Sequence, residues 1–253
     1  MKKIFYQLVA AITFFTRIPL WRIINITTES FPQIIYFWPL TGWITGAITA
    51  GVWFGFSMIF PPMLAIILAL VVRVLLTGGL HEDGLGDFFD GFGGGKTKED
   101  VLRIMKDSHI GSYALVGLIF YYSLFINSLA SLPKQTIPLV ILIADPLSKF
   151  LTGLMMNFLP YARAVDDSKV KTIFEKMNYL QVFIAAIFGL LPMVLFIEPK
   201  LWLASLGSLV MVVFILFLVK RKINGYTGDI CGATTLLSEL SFYLGFIAIS
   251  TLL

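Results

Sequence analysis

The chain has 253 residues, 58% of them hydrophobic and only 13% charged, with a formal net charge of +4 and a mean hydropathy of +0.88. That balance excludes a soluble globular domain. A single cysteine, Cys231, excludes a disulfide framework and a multi-cysteine zinc site.

Met1-Lys2-Lys3 and the apolar IFYQLVAAITFF resemble the opening of a signal peptide, but Thr16-Arg17-Ile18-Pro19 offers no small-residue cleavage site. The segment is therefore expected to remain as a membrane-surface, reentrant or first membrane helix. Seven apolar runs follow, near residues 36–59, 62–80, 112–131, 137–159, 179–197, 201–219 and 236–253. Each is long enough to cross about 30 Å of hydrocarbon. Aromatic clusters at their ends, such as Tyr36-Phe37-Trp38 and Tyr121-Tyr122, suit a membrane interface. The expected fold is an all-α integral membrane protein: a polytopic bundle of about seven transmembrane helices in a single membrane domain, 1–253, set in the lipid bilayer.

Three longer polar segments remain, at about 81–110, 161–177 and 220–235. Together with the N-terminal region they hold 15 of the 19 Lys and Arg residues, while Lys134 and Lys200 lie in the opposite loops and Arg73 and Lys149 within spans. The positive-inside rule places those segments and the N-terminus on the cytoplasmic side, and the C-terminus outside. No fixed-period repeat and no pair of Gly/Pro-broken spans stands out, which weighs against a transporter.

Glu82, Asp83, Asp87 and Asp90 fall between apolar stretches, where carboxylates are costly unless paired, hydrated or metal-bound. Asp83, Asp87 and Asp90 are spaced i, i+4 and i+7, so on a helix all three share one face. A divalent cation would relieve their repulsion, and oxygen ligands favour Mg²⁺. Next come Gly93, Gly94, Gly95 and Lys96. A Walker A loop is excluded because Asp90 stands where glycine is needed and no strand precedes it. Two readings stay open, a glycine-rich exit from a helix or a backbone cradle for phosphate beside Lys96. Thr97 reads as a helix N-cap with Asp100 at N3. Beyond it, Arg103, Lys106 and Asp107 are spaced either as a solvated helix face or, for the two cations, as a pyrophosphate clamp.

Gly225-Tyr226-Thr227-Gly228-Asp229 is a second glycine-punctuated acidic segment. Asp229 is open to a helix-start role or to metal binding or proton transfer. Glu239, within the last span, should face the bundle interior, and Asp145 and Lys149 are placed i, i+4 to neutralise each other. His81 and His109 form no ligand set by spacing.

The string TGGLHEDGLGDFFDGFGGGKTKEDVLRIMKDSHIGSY, with GYTGDICGA, FFTRIPL, YFWPLTG and PYAR, closely resembles the cobalamin synthase family, the adenosylcobinamide-GDP ribazoletransferases, from residue 13 to about 245. The resemblance implies a Mg²⁺-dependent enzyme of the cytoplasmic (inner) membrane. It would join adenosylcobinamide-GDP to α-ribazole or its 5′-phosphate and release GMP. Asp83, Asp87, Asp90 and Asp229 are then the expected metal-binding and catalytic residues, with Asp229 the candidate base. Glu82 is a further metal candidate, although the family often has an apolar residue there. Gly93, Gly94, Lys96, Arg103, Lys106, Asp107, Arg17, Tyr226 and Thr227 are expected to contact substrate. No nucleic acid partner is expected, and a homo-oligomer is left open. Asp87-Phe-Phe-Asp90-Gly91 also looks like the opening of the CDP-alcohol phosphotransferase signature, whose remaining parts are missing. A phospholipid synthase of that type is the enzyme alternative, and a membrane transporter the non-enzyme one.

Overall fold

The computed structural model describes residues 2–163, 174–196 and 198–252. Among these the chain is helical: α1 (Lys2–Phe15), α2 (Trp38–Ser57), α3 (Pro62–Thr77), α4 (Leu80–Gly94), α5 (Lys98–Ile104), α6 (Ser112–Ala130), α7 (Ile137–Met156), α8 (Tyr179–Phe196), α9 (Ser205–Lys222) and α10 (Gly228–Leu252). The all-α membrane fold is as expected, and all seven apolar runs are helices. By length and hydropathy, however, only α6, α7, α8, α9 with its preceding turn, and α10 suffice to cross a bilayer; α3 and α4 taken as one bent span would make six. The other two apolar helices lie outside that set for different reasons. Helix α2 is rich in Gly, Thr and Trp, and α3 stops after 16 residues, about 24 Å of helix.

Helix α3 stops because Gly78 and Gly79 both adopt left-handed backbone, with φ of +70° and +71°, a conformation cheap only for glycine. The chain turns there by 93° into α4, so the expected span 62–80 ends at Thr77 and the acidic segment becomes a helix of its own. The Arg17 side chain lies across the bend: a Cβ on Gly78 would come within 2.2 Å of its Nε.

Helix α7 is buried along most of its length and packs against α2, α8 and α10, while α10 also packs against α4, α6 and α9. Outward faces of α6, α8 and α9 expose Phe120, Phe183 and Phe217, side chains that suit contact with lipid tails. Helix α1 is anchored by Gln7, whose Oε1 accepts from the Tyr36 hydroxyl at 2.7 Å.

Two buried ionic groups sit inside the bundle. Arg73 of α3 donates to both oxygens of Glu239 of α10, at 2.7 and 2.5 Å, and the Tyr243 hydroxyl donates to Glu239 at 2.6 Å. Glu239 thus faces the interior as expected, with a partner that spacing did not reveal. Asp145 and Lys149 of α7 pair with each other as expected, and the Thr45 hydroxyl donates to Asp145 at 2.6 Å.

Helices α4 and α10 touch backbone to backbone. A Cβ on Gly84 would lie 2.7 Å from the Asp229 carbonyl oxygen, whereas one on Gly86 would meet only side chains, at 3.6 Å. Gly84→Ala is therefore expected to lower stability by about 1–3 kcal/mol through overpacking. Gly86→Ala should leave the melting temperature of the detergent-solubilised protein nearly unchanged.

Candidate active site

The acidic stretch folds as α4 because its apolar positions recur at helical spacing: Leu85 and Phe88 are buried, and the rings of Phe88 and Phe92 pack at a tilt of 31° with centroids 4.5 Å apart. Lys222 closes the helix, donating to the Phe92 carbonyl at 2.7 Å, a cation placed where the helix dipole is negative. The opposite face carries the acids. Glu82, Asp83, Asp87 and Asp90 all line one cavity of about 800 Å³, bounded by the end of α1, the α3–α4 bend, and the start of α6. Arg17 and His109 lie on the same wall system. The Asp107 carboxylate, 2.6 Å from His109 Nδ1, raises the imidazole pKa, which keeps that rim position cationic to higher pH.

Asp90 has a task besides facing the cavity. Its Oδ2 accepts from the Gly111 N–H at 2.6 Å and its Oδ1 from the Ala114 N–H at 2.9 Å, so it caps the first turn of α6. Residue 111 is glycine because a Cβ there would lie 2.5 Å from Asp90 Oδ1.

A second cavity of about 120 Å³ adjoins the first, and Phe14, Leu80 and Asp83 line both. Asp229 belongs to this smaller space. It sits in the first turn of α10, where Arg163 donates to its Oδ2 at 3.1 Å and Thr227 Oγ1 caps the helix by accepting from the Ile230 N–H at 3.3 Å. The PYAR and GYTGD segments meet here. Ala162 N–H donates to the Tyr226 carbonyl at 2.8 Å, Tyr226 N–H to the Pro160 carbonyl at 2.9 Å, and the rings of Tyr161 and Tyr226 lie edge to face at 5.4 Å. Burial pushes the Tyr226 phenol pKa up, so this side chain stays neutral.

The sequence matches the cobalamin-5-phosphate synthase family over residues 7–247. The chain belongs to that family. It is similar to proteins named adenosylcobinamide-GDP ribazoletransferase from Leptospira interrogans (35% identity over 92% of this chain and 91% of the relative), Shewanella putrefaciens (34%, 96% and 94%) and Desulfitobacterium hafniense (35%, 93% and 94%). No solved structure matches the chain.

In this member of the cobalamin-5-phosphate synthase family, the residues expected to contact substrate fall in different places. Gly93 and Gly94 form the last turn of α4. Their N–H groups are taken up in the helix, and a Cβ on Gly93 would strike the Tyr113 ring at 2.6 Å; close packing, not a phosphate cradle, accounts for that glycine. Lys96, Arg103, Lys106 and Asp107 line neither cavity. Helix α5 buries Val101 and Met105 against its neighbours, which turns Arg103 outward to pair with Asp100 at 3.4 Å. Thr97 caps α5 as expected, accepting from the Asp100 N–H at 3.1 Å. Arg17 does reach the acid cavity and Tyr226 the smaller one, whereas Thr227 serves as a cap. Of the expected polar segment 161–177, residues 164–173 lie outside the described residues. Arg163, His81 and Trp38, which line the smaller cavity, were not singled out by sequence spacing.

The expected five-residue metal set is not gathered at one point. No group of three or more His, Cys, Asp and Glu side chains able to hold a metal ion occurs among the described residues, because Asp229 is across in the second cavity and Asp90 is engaged by α6. The donor chemistry still suits Mg²⁺, which is commonly held by one or two carboxylates together with substrate phosphates and water. Glu82 strengthens that fit, since its Oε2 is buried without a hydrogen-bond partner.

Proposed function

We propose that this chain transfers the adenosylcobinamide phosphate group from adenosylcobinamide-GDP to α-ribazole or its 5′-phosphate, with release of GMP. The observation that carries the reading is an acid-lined cavity of about 800 Å³ within the span matched to the family. In this reading Asp87, with Glu82 beside it, would hold Mg²⁺ at the donor's diphosphate, leaving Asp83 outside the metal set. The ion supplies charge neutralisation for the phosphoryl oxygens and the departing GMP.

The protein's own groups do the rest. Arg17, at the α3–α4 bend, offers a fork of donors to a phosphate oxygen. A ribose hydroxyl of the acceptor, brought in past Asp83, forms a bond to the phosphorus carrying the corrinoid's aminopropanol arm. The bond from that phosphorus to the bridging oxygen breaks, and GMP leaves with the oxygen. The hydroxyl proton passes to a carboxylate. Asp83 borders both cavities and is favoured for that task over Asp229, whose carboxylate Arg163 already neutralises.

We further propose that the site faces the cytoplasm from the inner membrane, supported by the asymmetry of the Lys and Arg residues. The family match favours ribazole transfer over the CDP-alcohol and transporter readings. The test is GMP formation by purified, reconstituted protein given adenosylcobinamide-GDP and α-ribazole. GMP release is expected to require α-ribazole, to stop in EDTA, and to return with Mg²⁺ or Mn²⁺. Full activity in EDTA would refute the metal role, and turnover of a CDP-alcohol in its place would refute the substrates.

A further inference from the structure

The smaller cavity is built unlike the larger one. Its volume is about 120 Å³ and seven of its sixteen lining residues carry rings. Phe15 and Trp38 stack at 4.7 Å with planes 11° apart, and Trp38 and His81 at 6.0 Å with planes 14° apart. Phe174, Tyr161 and Tyr226 contribute further rings to the lining. Three polar atoms on the lining residues are buried without a hydrogen-bond partner: Trp38 Nε1, His81 Nε2 and Arg163 Nε. Burial of such atoms is costly, and a bound molecule that pairs with them removes the cost. Flat rings with a few unpaired polar atoms are the ordinary make-up of a small-molecule subsite.

Resting on the proposed ribazole transfer, we infer that this slot seats the planar benzimidazole base of the acceptor, with its ribose extending past Asp83 into the acid cavity. Its size suits a bicyclic ring and excludes a corrinoid. Guanine, the donor's own heterocycle, carries a carbonyl, an amino group, a ring N–H and two ring-nitrogen acceptors, more polar groups than the three orphaned atoms pair. A benzimidazole nucleoside presents one ring-nitrogen acceptor on an otherwise apolar ring, which would pair one of these orphaned groups, the indole or the guanidinium N–H, and leave no polar group of the base unpaired. The slot thereby becomes the selector of the acceptor base, and the acid cavity is left for the donor's diphosphate.

Cys231, which lines only the smaller cavity, gives the test. In reconstituted protein, Cys231→Met fills the slot and is expected to raise KM for α-ribazole about tenfold or more, with KM for adenosylcobinamide-GDP changed less than about twofold. Trp38→Phe keeps an aromatic wall and removes one donor, so it should raise the same KM and leave kcat close to wild type. It also covers the case in which Cys231→Met fails to fold. Binding of α-ribazole alone should quench tryptophan fluorescence in the wild type and much less in Trp38→Phe. A wild type that makes no ribazole-dependent GMP overturns the functional reading. Ribazole-dependent GMP formation with an unmoved acceptor KM in both variants overturns the slot alone, as does a rise confined to the donor's KM.

Discussion

Asp83→Asn and Asp87→Asn are each expected to slow ribazole-dependent GMP release by at least about 100-fold, with membrane insertion intact. Both side chains line the acid cavity from one face of α4, so replacing a carboxylate with an amide removes charge beside the diphosphate without changing shape. The third acid should behave differently. Asp90 accepts from two N–H groups of α6, and an amide in its place turns one acceptor into a donor facing an N–H. Asp90→Asn should therefore cost about 1–2 kcal/mol of stability in addition to activity. Measuring thermal unfolding beside turnover for all three variants separates the roles. A stable, fully active Asp83 or Asp87 variant would remove that residue from the site.

Arg73→Met is expected to destabilise the bundle by about 3–5 kcal/mol, far more than any surface substitution. Arg73 and Glu239 are almost wholly buried and bonded through two contacts. Removing the guanidinium leaves a carboxylate enclosed among helices, with only the Tyr243 hydroxyl to receive. The paired replacement Arg73→Met with Glu239→Met removes both charges and should recover most of the loss, because the desolvation cost of the pair disappears with it. Denaturation of the two variants in detergent gives the comparison. If the single variant were as stable as the wild type, the ion pair would have no structural role in joining α3 to α10.

Particular residues mark how far local pattern reached. The shared face of Asp83, Asp87 and Asp90 was legible because helical period alone sets it, and the Thr97 cap was legible because capping acts within one turn. The pair Asp145–Lys149 was legible for the same reason. The pairing of Arg73 with Glu239 joins positions 166 apart in sequence, and that of Arg163 with Asp229 positions 66 apart. No local rule connects such residues. The facing of Arg103 was not legible, because buried Val101 and Met105 decide which way that short segment turns. Nor was the packing of Gly93 against the Tyr113 ring, because a glycine under a ring and a glycine in an open turn look alike in a string.

By itself the sequence determined that this is a helical membrane protein, that its acids share one face, and, through its motifs, the family it resembles. Those properties follow from composition and from spacing within a single helix. Only the tertiary structure decided that the chain bends by 93° after Thr77, that Asp90 holds the start of α6, and that Asp229 lines a second cavity, which shares Asp83 with the first. These depend on which helices touch, and close contacts such as that of Gly84 with the Asp229 backbone form only when distant segments are brought together.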